Sequence, residues 1–323
     1  MDPSKLKPDK EMILESVVDL VNMAGRLKAS TVLVAGGDRV EDLRMVESAR
    51  DHGIVDRIIL VGNRDHITRA VGNVGIEVAP DDVVSAEGYE AVADATVNII
   101  QSGQVDIVLK GNMSTPVLNR RMLLLAQRPT ASLVTVFDAA PIAGGRIMLM
   151  TDAGFTTVCN LERMIDIVDN AVDVARTALN MQRPRVAILS ANEKQIASLP
   201  STKIGLELAQ RDWSNAIVCG PLSFDLATDP ESVEVKGMPD LPNAEEVVGH
   251  ADILVCPGID AANILYKNLT ALNKYGQASL ASITMGFTVP YIIISRADTM
   301  ETRLVSIALC SIYAQRNSRK LTS

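Results

Sequence analysis

Four stretches of this chain put polar residues directly after apolar, β-branched runs. In an open α/β sheet, ligands bind beyond the carboxyl ends of strands, so chemistry is expected there. The first stretch is LKGNMSTP, Leu109 to Pro116. A strand ends at Lys110, a glycine permits a tight turn, and Ser114 and Thr115 precede a helical run. Hydroxyls and free backbone N–H groups at a helix start hold anions, and Lys110 adds charge. An ordinary Ser/Thr helix cap would use the same residues. The second stretch is CGPLSFD, Cys219 to Asp225. It offers Asp225, either as a site carboxylate or as a capping or solvated one. The third is CPGIDAANILYK, Cys256 to Lys267, where Asn263 and Lys267 share a helix face at i,i+4. Such a donor pair suits a phosphate or a carbonyl oxygen, and it equally suits an exposed polar face. The fourth is IIISRAD, Ile292 to Asp298. A very apolar strand delivers Ser295, Arg296 and Asp298. Arginine fits phosphate through its planar fork of donors. Asp298 serves as a base, orients the arginine, or forms a plain ion pair tying the last helix to the sheet.

Several familiar devices are missing from the sequence. It has no GxxxxGK(S/T) loop, and VAGGD at Val34 to Asp38 is not GxGxxG. There is no GxSxG elbow and no HExxH helix. His52, His66 and His250 do not cluster, and Cys159, Cys219, Cys256 and Cys310 form no CxxC pair. Cys219 and Cys256 lie in apolar runs, as reduced core residues do. Asp166, Asp169 and Asp173 could line a metal site on one helix. The apolar stripe opposite them favours a solvated face.

The elements that position these residues follow from periodicity. The expected strands begin at Thr31, Arg57, Asp106, Ser132, Arg146, Arg185, Ala216, Asp252, Ser279 and Val289. Most are continuously apolar, as strands covered on both faces are. Asn160 to Asn180 predicts a helix with Leu161, Met164, Ile165, Val168, Val172, Ala175 and Leu179 on one stripe and Asn160 as its cap. A last helix is expected near Thr299 to Gln315. The β-α-β order gives an α/β fold with a largely parallel sheet. Asp138–Gly145 reads as a joint and Lys236–Glu246 as a surface loop.

Composition bounds the rest. At roughly 100–200 residues per domain, 323 residues suggest two domains. Hydrophobic residues are 47% of the chain and aromatics 3%, so aliphatic side chains must pack the core. With 31 Lys and Arg against 39 Asp and Glu, the net charge of −8 argues against nucleic acid or an anionic membrane as the main partner. The opening MDPSKLKPDKEM lacks an apolar signal region, and the longest apolar stretch, Ala131 to Met150, is broken by Asp138 and Arg146. A cytoplasmic location is the expectation.

The wording and order of these segments resemble the phosphate acetyl/butyryltransferase family, its butyryltransferase branch above all. The resemblance runs from about Thr31 to near the C-terminus. It rests on GPLSFDLA, ADILVCPGIDAANILYKNL and ISRADTMETRLVSIAL, supported by LKGNMSTPVLNR, LMTDAG and RVAILSANE. It implies a two-domain fold of the isocitrate/isopropylmalate dehydrogenase kind with an interdomain cleft, usually as a homodimer. The first domain would be residues 1–139 plus 297–323, and the second, inserted domain residues 140–296. The implied reaction is acyl-CoA plus phosphate giving acyl phosphate plus CoA, with CoA as substrate and no metal or redox cofactor. The catalytic residues would be Arg296, holding the phosphoryl group, Asp298 as thiol base, and Ser295. Lys110, Ser114, Thr115, Asp225, Asn263 and Lys267 would contact phosphate or CoA. In the acetyltransferase branch the acid lies several residues beyond the arginine, where this chain has Glu301 and Thr302. Gly258, Asp260 and Ala261 replace the residues usual before the asparagine, and Phe155, Thr156 and Cys159 replace those usual after TDAG. These departures open a second reading, a non-catalytic binding or regulatory protein. A third reading, on the same fold, is a metal-dependent hydroxy-acid dehydrogenase, which would need an acidic cluster at strand ends.

Overall fold

The aliphatic runs become strands because their side chains are buried on both sides. The computed structural model describes residues 14–293, 295 and 298–322, with 319–322 described by backbone alone. The strands are β1 Ser30–Ala35, β2 Val55–Gly62, β3 Val83–Ser85, β4 Ile107–Lys110, β5 Ser132–Ala139 and β6 Met148–Thr151. They continue as β7 Arg185–Leu189, β8 Ile217–Leu222, β9 Ile253–Val255, β10 Ala278–Met285 and β11 Tyr291–Ile292. Every expected strand forms. β3 was not anticipated: it is short and half-exposed, so it carries no apolar pattern.

Helices fill the connections. They are α1 Asp19–Ala24, α2 Val40–Asp51, α3 Arg64–Val74, α4 Gly88–Gln101, α5 Thr115–Met122 and α6 Leu161–Ala178. The later ones are α7 Pro200–Ala209, α8 Phe224–Thr228, α9 Pro230–Lys236, α10 Ala244–Val247, α11 Ile259–Lys274 and α12 Met300–Thr322. Among the described residues, no helix is long and apolar enough to cross a membrane. The cap expected for α6 is present, with Asn160 Oδ1 accepting the Arg163 N–H at 3.1 Å. The stretch 236–246 is a loop only between α9 and α10.

All strands join one eleven-stranded sheet in the order β3-β2-β1-β4-β11-β10-β5-β6-β9-β7-β8. Pairing is parallel within β3-β2-β1-β4-β11 and within β6-β9-β7-β8. Between these groups β10 is antiparallel to β11 and β5, and β5 is antiparallel to β6. The two parallel groups therefore point in opposite directions.

The two faces of this sheet pack differently. One carries a continuous core, in which Val34, Leu109, Ile283, Val136, Leu149 and Val255 belong to a single cluster with residues of α2, α6 and α12. The other carries two cores. One gathers Ala35, Val61, Val108 and Tyr291 with residues of α4 and α5. The second gathers Leu280, Phe137, Met148 and Leu254 with residues of α11. The break falls on β10, where Ser282 and Thr284 follow Leu280 on the same face. Ser282 pairs with Thr135 of β5, and their hydroxyls lie 3.0 Å apart. Thr284 Oγ1 is buried and has no hydrogen-bond partner among the described residues. Polar side chains thus interrupt the apolar layer in the middle of the molecule.

One expectation for α6 is corrected. Asp166, Asp169 and Asp173 are half-buried rather than a solvated face. Asp173 accepts from the Tyr313 hydroxyl at 2.7 Å and from Arg128 at 3.2 Å. α12 packs against α6 and brings Tyr313 onto Asp173, while Arg128 comes to Asp173 and acts on Asp169.

Candidate active site

β11 is extended only to Ile292, and the chain then turns into α12. Asp298 closes this turn on itself: its Oδ2 accepts the Ser295 N–H at 2.8 Å, and the Asp298 N–H donates to the Ser295 carbonyl at 3.1 Å. Its Oδ1 accepts the Tyr266 hydroxyl of α11 at 3.2 Å. Burial pushes the Asp298 pKa above the ordinary carboxylate value, against opposing pulls from the Ser295 N–H, Tyr266, Lys267 and Arg303. Burial also lifts the Tyr266 phenol well above its usual range, so it keeps its proton and acts as the donor. Lys267 extends beside that ring, with its ammonium 5.1 Å from the ring centroid. Arg303 of α12 reaches back to the same turn, donating from Nε to the Asp298 carbonyl at 3.2 Å and from Nη2 to the Ser295 carbonyl at 3.5 Å. The nearby acid Glu301 points elsewhere: it is exposed and lines a groove with Val18, Ser48 and His52. Thr302 is buried, and its N–H is capped by Thr299 Oγ1 at 3.1 Å.

The β4–α5 turn lies next along the sheet. β4 and β11 are parallel neighbours with Leu109 opposite Ile292, so Lys110 to Thr115 emerge at the same edge as Ser295. Glycine sets this turn's position. Gly111 donates to the Ala35 carbonyl and Asn112 to the Gly36 carbonyl, locking it against the turn after β1. A Cβ on Gly111 would meet the Gly36 carbonyl oxygen at 2.3 Å. Gly36 itself has φ +81° and faces the Asn112 backbone. Ser114 is the N-cap of α5, yet among the described residues its side chain makes no cap bond. Its hydroxyl and the first-turn N–H groups are therefore placed for an anion. The fields of Arg39, Arg303 and Lys110 all act on one buried carboxylate, Asp42.

The turn after β6 is organised by a second buried carboxylate. Asp152 Oδ1 accepts the N–H groups of Leu133, Gly154 and Phe155 at 2.9, 3.1 and 3.1 Å, and Oδ2 accepts that of Thr156 at 2.7 Å. Asn263 of α11 then donates to the Ala153 carbonyl at 2.9 Å. Phe155 turns toward the first core and meets Phe287 edge-on, with centroids 5.8 Å apart.

Sequence-predicted residues are thus partly gathered. Ser295, Asp298 and Lys267 converge with Tyr266, and Lys110, Ser114 and Thr115 share the edge of the first two. Asn263 ties α11 to the Asp152 loop. Asp225 stands apart. It follows β8, the outermost strand, and forms an ion pair with Lys236 of α9 that holds its pKa below the usual value. Arg296 lies outside the described residues. Tyr266, Arg303, Asp42 and Asp152 were not singled out from sequence. Tyr266 stands between Asn263 and Lys267 in NILYK, and reading that helix for polar tips on its buried side would have found it.

The chain is similar to known proteins over most of its length. Residues 93–311 match the model of the phosphate acetyl/butaryl transferase family. A phosphate butyryltransferase of Clostridium acetobutylicum is 33% identical over 89% of this chain and 94% of its own length. A phosphate acetyltransferase of Rhizobium meliloti is 34% identical over 80% of this chain and 81% of its own. The crystal structure of a branched-chain phosphotransacylase from Enterococcus faecalis V583 superposes with a TM-score of 0.71 at 29% identity, covering 88% of this chain and 99% of that one. Likeness of this extent, spanning the β4–α5 turn, α11 and the turn before α12 together, means that the chain belongs to the phosphate acetyl/butaryl transferase family.

Proposed function

We propose that this protein transfers a short acyl group between coenzyme A and inorganic phosphate. The observation that carries the reading is the setting of Asp298. It is a half-buried carboxylate with a raised pKa, hydrogen-bonded by Ser295 and Tyr266 and close enough to Lys267 to feel its charge, on the sheet edge that also carries hydroxyl groups at a helix start. Burial that raises a carboxylate pKa makes it a better proton acceptor. With acyl phosphate as substrate, Asp298 takes the thiol proton of CoA and the thiolate attacks the acyl carbonyl. The tetrahedral intermediate then collapses with loss of phosphate. In the other direction a phosphate oxygen attacks the thioester carbon, the C–S bond breaks, and Asp298 returns the proton to sulfur. Lys110, Ser114 and Thr115 seat the phosphate with Arg296, and Asn263 and Lys267 face the acyl-CoA. Asp225, at the far edge of the sheet, is a candidate only for the outer part of CoA. The proposal uses no metal or redox cofactor.

The polar break at Thr135, Ser282 and Thr284 supports an interdomain cleft on that face. The division into a first domain, 1–139 plus 297–323, and an inserted one, 140–296, belongs to this reading, with Phe137 of β5 packing in the second core and Tyr291 of β11 in the first, so that these central strands cross between the two. This is the two-domain, dehydrogenase-like arrangement that the resemblance implies. A homodimer in the cytoplasm belongs to the same reading, with the exposed Ile264 and Tyr275 available to such a contact. The test is CoA release with phosphate over a panel of acyl-CoAs from acetyl to branched and aromatic groups. Turnover with at least one member is the expected result. CoA binding without turnover would favour a non-catalytic protein instead.

A further inference from the structure

Arg303 and Asp42 are distant in sequence and belong to none of the segments proposed to touch substrate. Asp42 is in the first turn of α2 and 1% exposed, and Arg303 is in the first turns of α12 and 7% exposed. Their side chains meet at 3.9 Å between Nη1 and Oδ1. The same Oδ1 takes Arg39 Nη2 at 2.5 Å, while Oδ2 has no hydrogen-bond partner among the described residues. A buried carboxylate with one oxygen unmatched is costly, and a core of this kind could hold a leucine there at lower cost. We infer that the Asp42–Arg303 pair is a positioning device, which fixes the Ser295–Asp298 turn against the β1–α2 unit so that Asp298 meets its substrate.

The connectivity carries this. Arg303 uses Nε and Nη2 on the carbonyls of Asp298 and Ser295, and Nη1 toward Asp42. Only a planar fork serves three acceptors in three directions; an ammonium is a single point. Asp42 follows the turn at Gly36, which is locked by hydrogen bonds to Gly111 and Asn112. The pair therefore links the turn carrying the acid to the turn carrying Ser114 and Thr115. Displacing the base by about 1 Å costs on the order of a hundredfold in rate. The inference rests on the proposed role of Asp298.

Steady-state kinetics and pH profiles of Arg303→Met, Arg303→Lys, Asp42→Asn, the double variant and Asp298→Asn test it, with Tm measured for each. Among the described residues, the groups that act on Asp298 are Lys267 with the Tyr266 phenol on α11, and Arg303 on α12. Arg303→Met and Arg303→Lys should lower kcat by roughly tenfold to a hundredfold. KM for CoA should change little. Removing the Arg303 charge should move the acidic limb of kcat/KM to higher pH. Asp42→Asn should move it to lower pH, because Arg303 is then less neutralised. The double variant should return it toward wild type. A purely structural role would lower Tm without moving the limb in opposite directions. Wild-type kcat and an unmoved limb in folded Arg303→Met or Arg303→Lys, with Asp298→Asn inactive, would overturn the positioning role and leave the base in place. Full turnover in Asp298→Asn would remove the base and this inference with it.

Discussion

The Tyr266 hydroxyl donates to Asp298 Oδ1 at 3.2 Å, so the helix after β9 and the turn after β11 meet at one carboxylate. The two residues come from strands that run in opposite directions and lie on either side of the antiparallel β10–β5 pair. Removing this donor in Tyr266→Phe deletes one of the interactions that favour the ionised acid. The Asp298 pKa should rise, and the acidic limb of kcat/KM should move to higher pH, with kcat reduced about tenfold. An unchanged pH profile would show that the bond does not bear on the base.

Asp298→Asn keeps the shape of the turn and the Ser295 N–H acceptor. It should lower kcat by a hundredfold or more, as loss of a general base does. Wild-type rates would leave Asp298 with a structural role, tying the Ser295 backbone to Tyr266 of α11.

Arg296→Ala should leave the protein folded and lower turnover by roughly a hundredfold, the scale for loss of an oxyanion donor. Arg296→Lys should rescue poorly, since a point charge does not replace a fork. Far-ultraviolet circular dichroism alongside the CoA-release assay separates folding from catalysis.

Asp152 holds four backbone N–H groups at the turn after β6. Asp152→Ala leaves them without that acceptor in a buried loop. At about 1–3 kcal/mol per stranded group, the loss should be roughly 3 kcal/mol or more. A guanidinium midpoint within error of wild type would show that water replaces the carboxylate there.

Phe155 packs edge-on against Phe287, which in turn contacts Tyr291, so the altered turn after TDAG joins the apolar layer beside the proposed cleft. The enzyme should prefer an acyl group longer than acetyl, because each further buried methylene adds about 0.8 kcal/mol where space exists. The ratio of kcat/KM for butyryl- or isobutyryl-CoA over acetyl-CoA should exceed one. A ratio below one would place the acyl group elsewhere.

The sequence by itself determined every strand but β3, the main helices and the family. Continuous runs such as TVLVA and RIILVG have no polar face to expose, so they could only be buried strands. The α6 stripe and its Asn160 cap were equally local. Lys110, Ser114, Ser295 and Asp298 could be picked out as candidates because strand ends in an α/β sheet are where polar residues serve a site. Tertiary structure alone decided what those residues touch. The opposed strand groups bring Tyr266 to Asp298 from more than thirty positions away in the chain, and the parallel order β1-β4-β11 brings Arg303 to Asp42 from farther still. The acids of α6 looked solvated because periodicity identifies the main core stripe and says nothing of distant side chains, such as Tyr313 of α12 and Arg128, that come to the acids. Asp225 looked like its neighbours in the motif set, yet its strand went to the sheet's outer edge. Strand order and burial are properties of the assembled chain, and they set both the partners and the protonation of a carboxylate that the sequence only names.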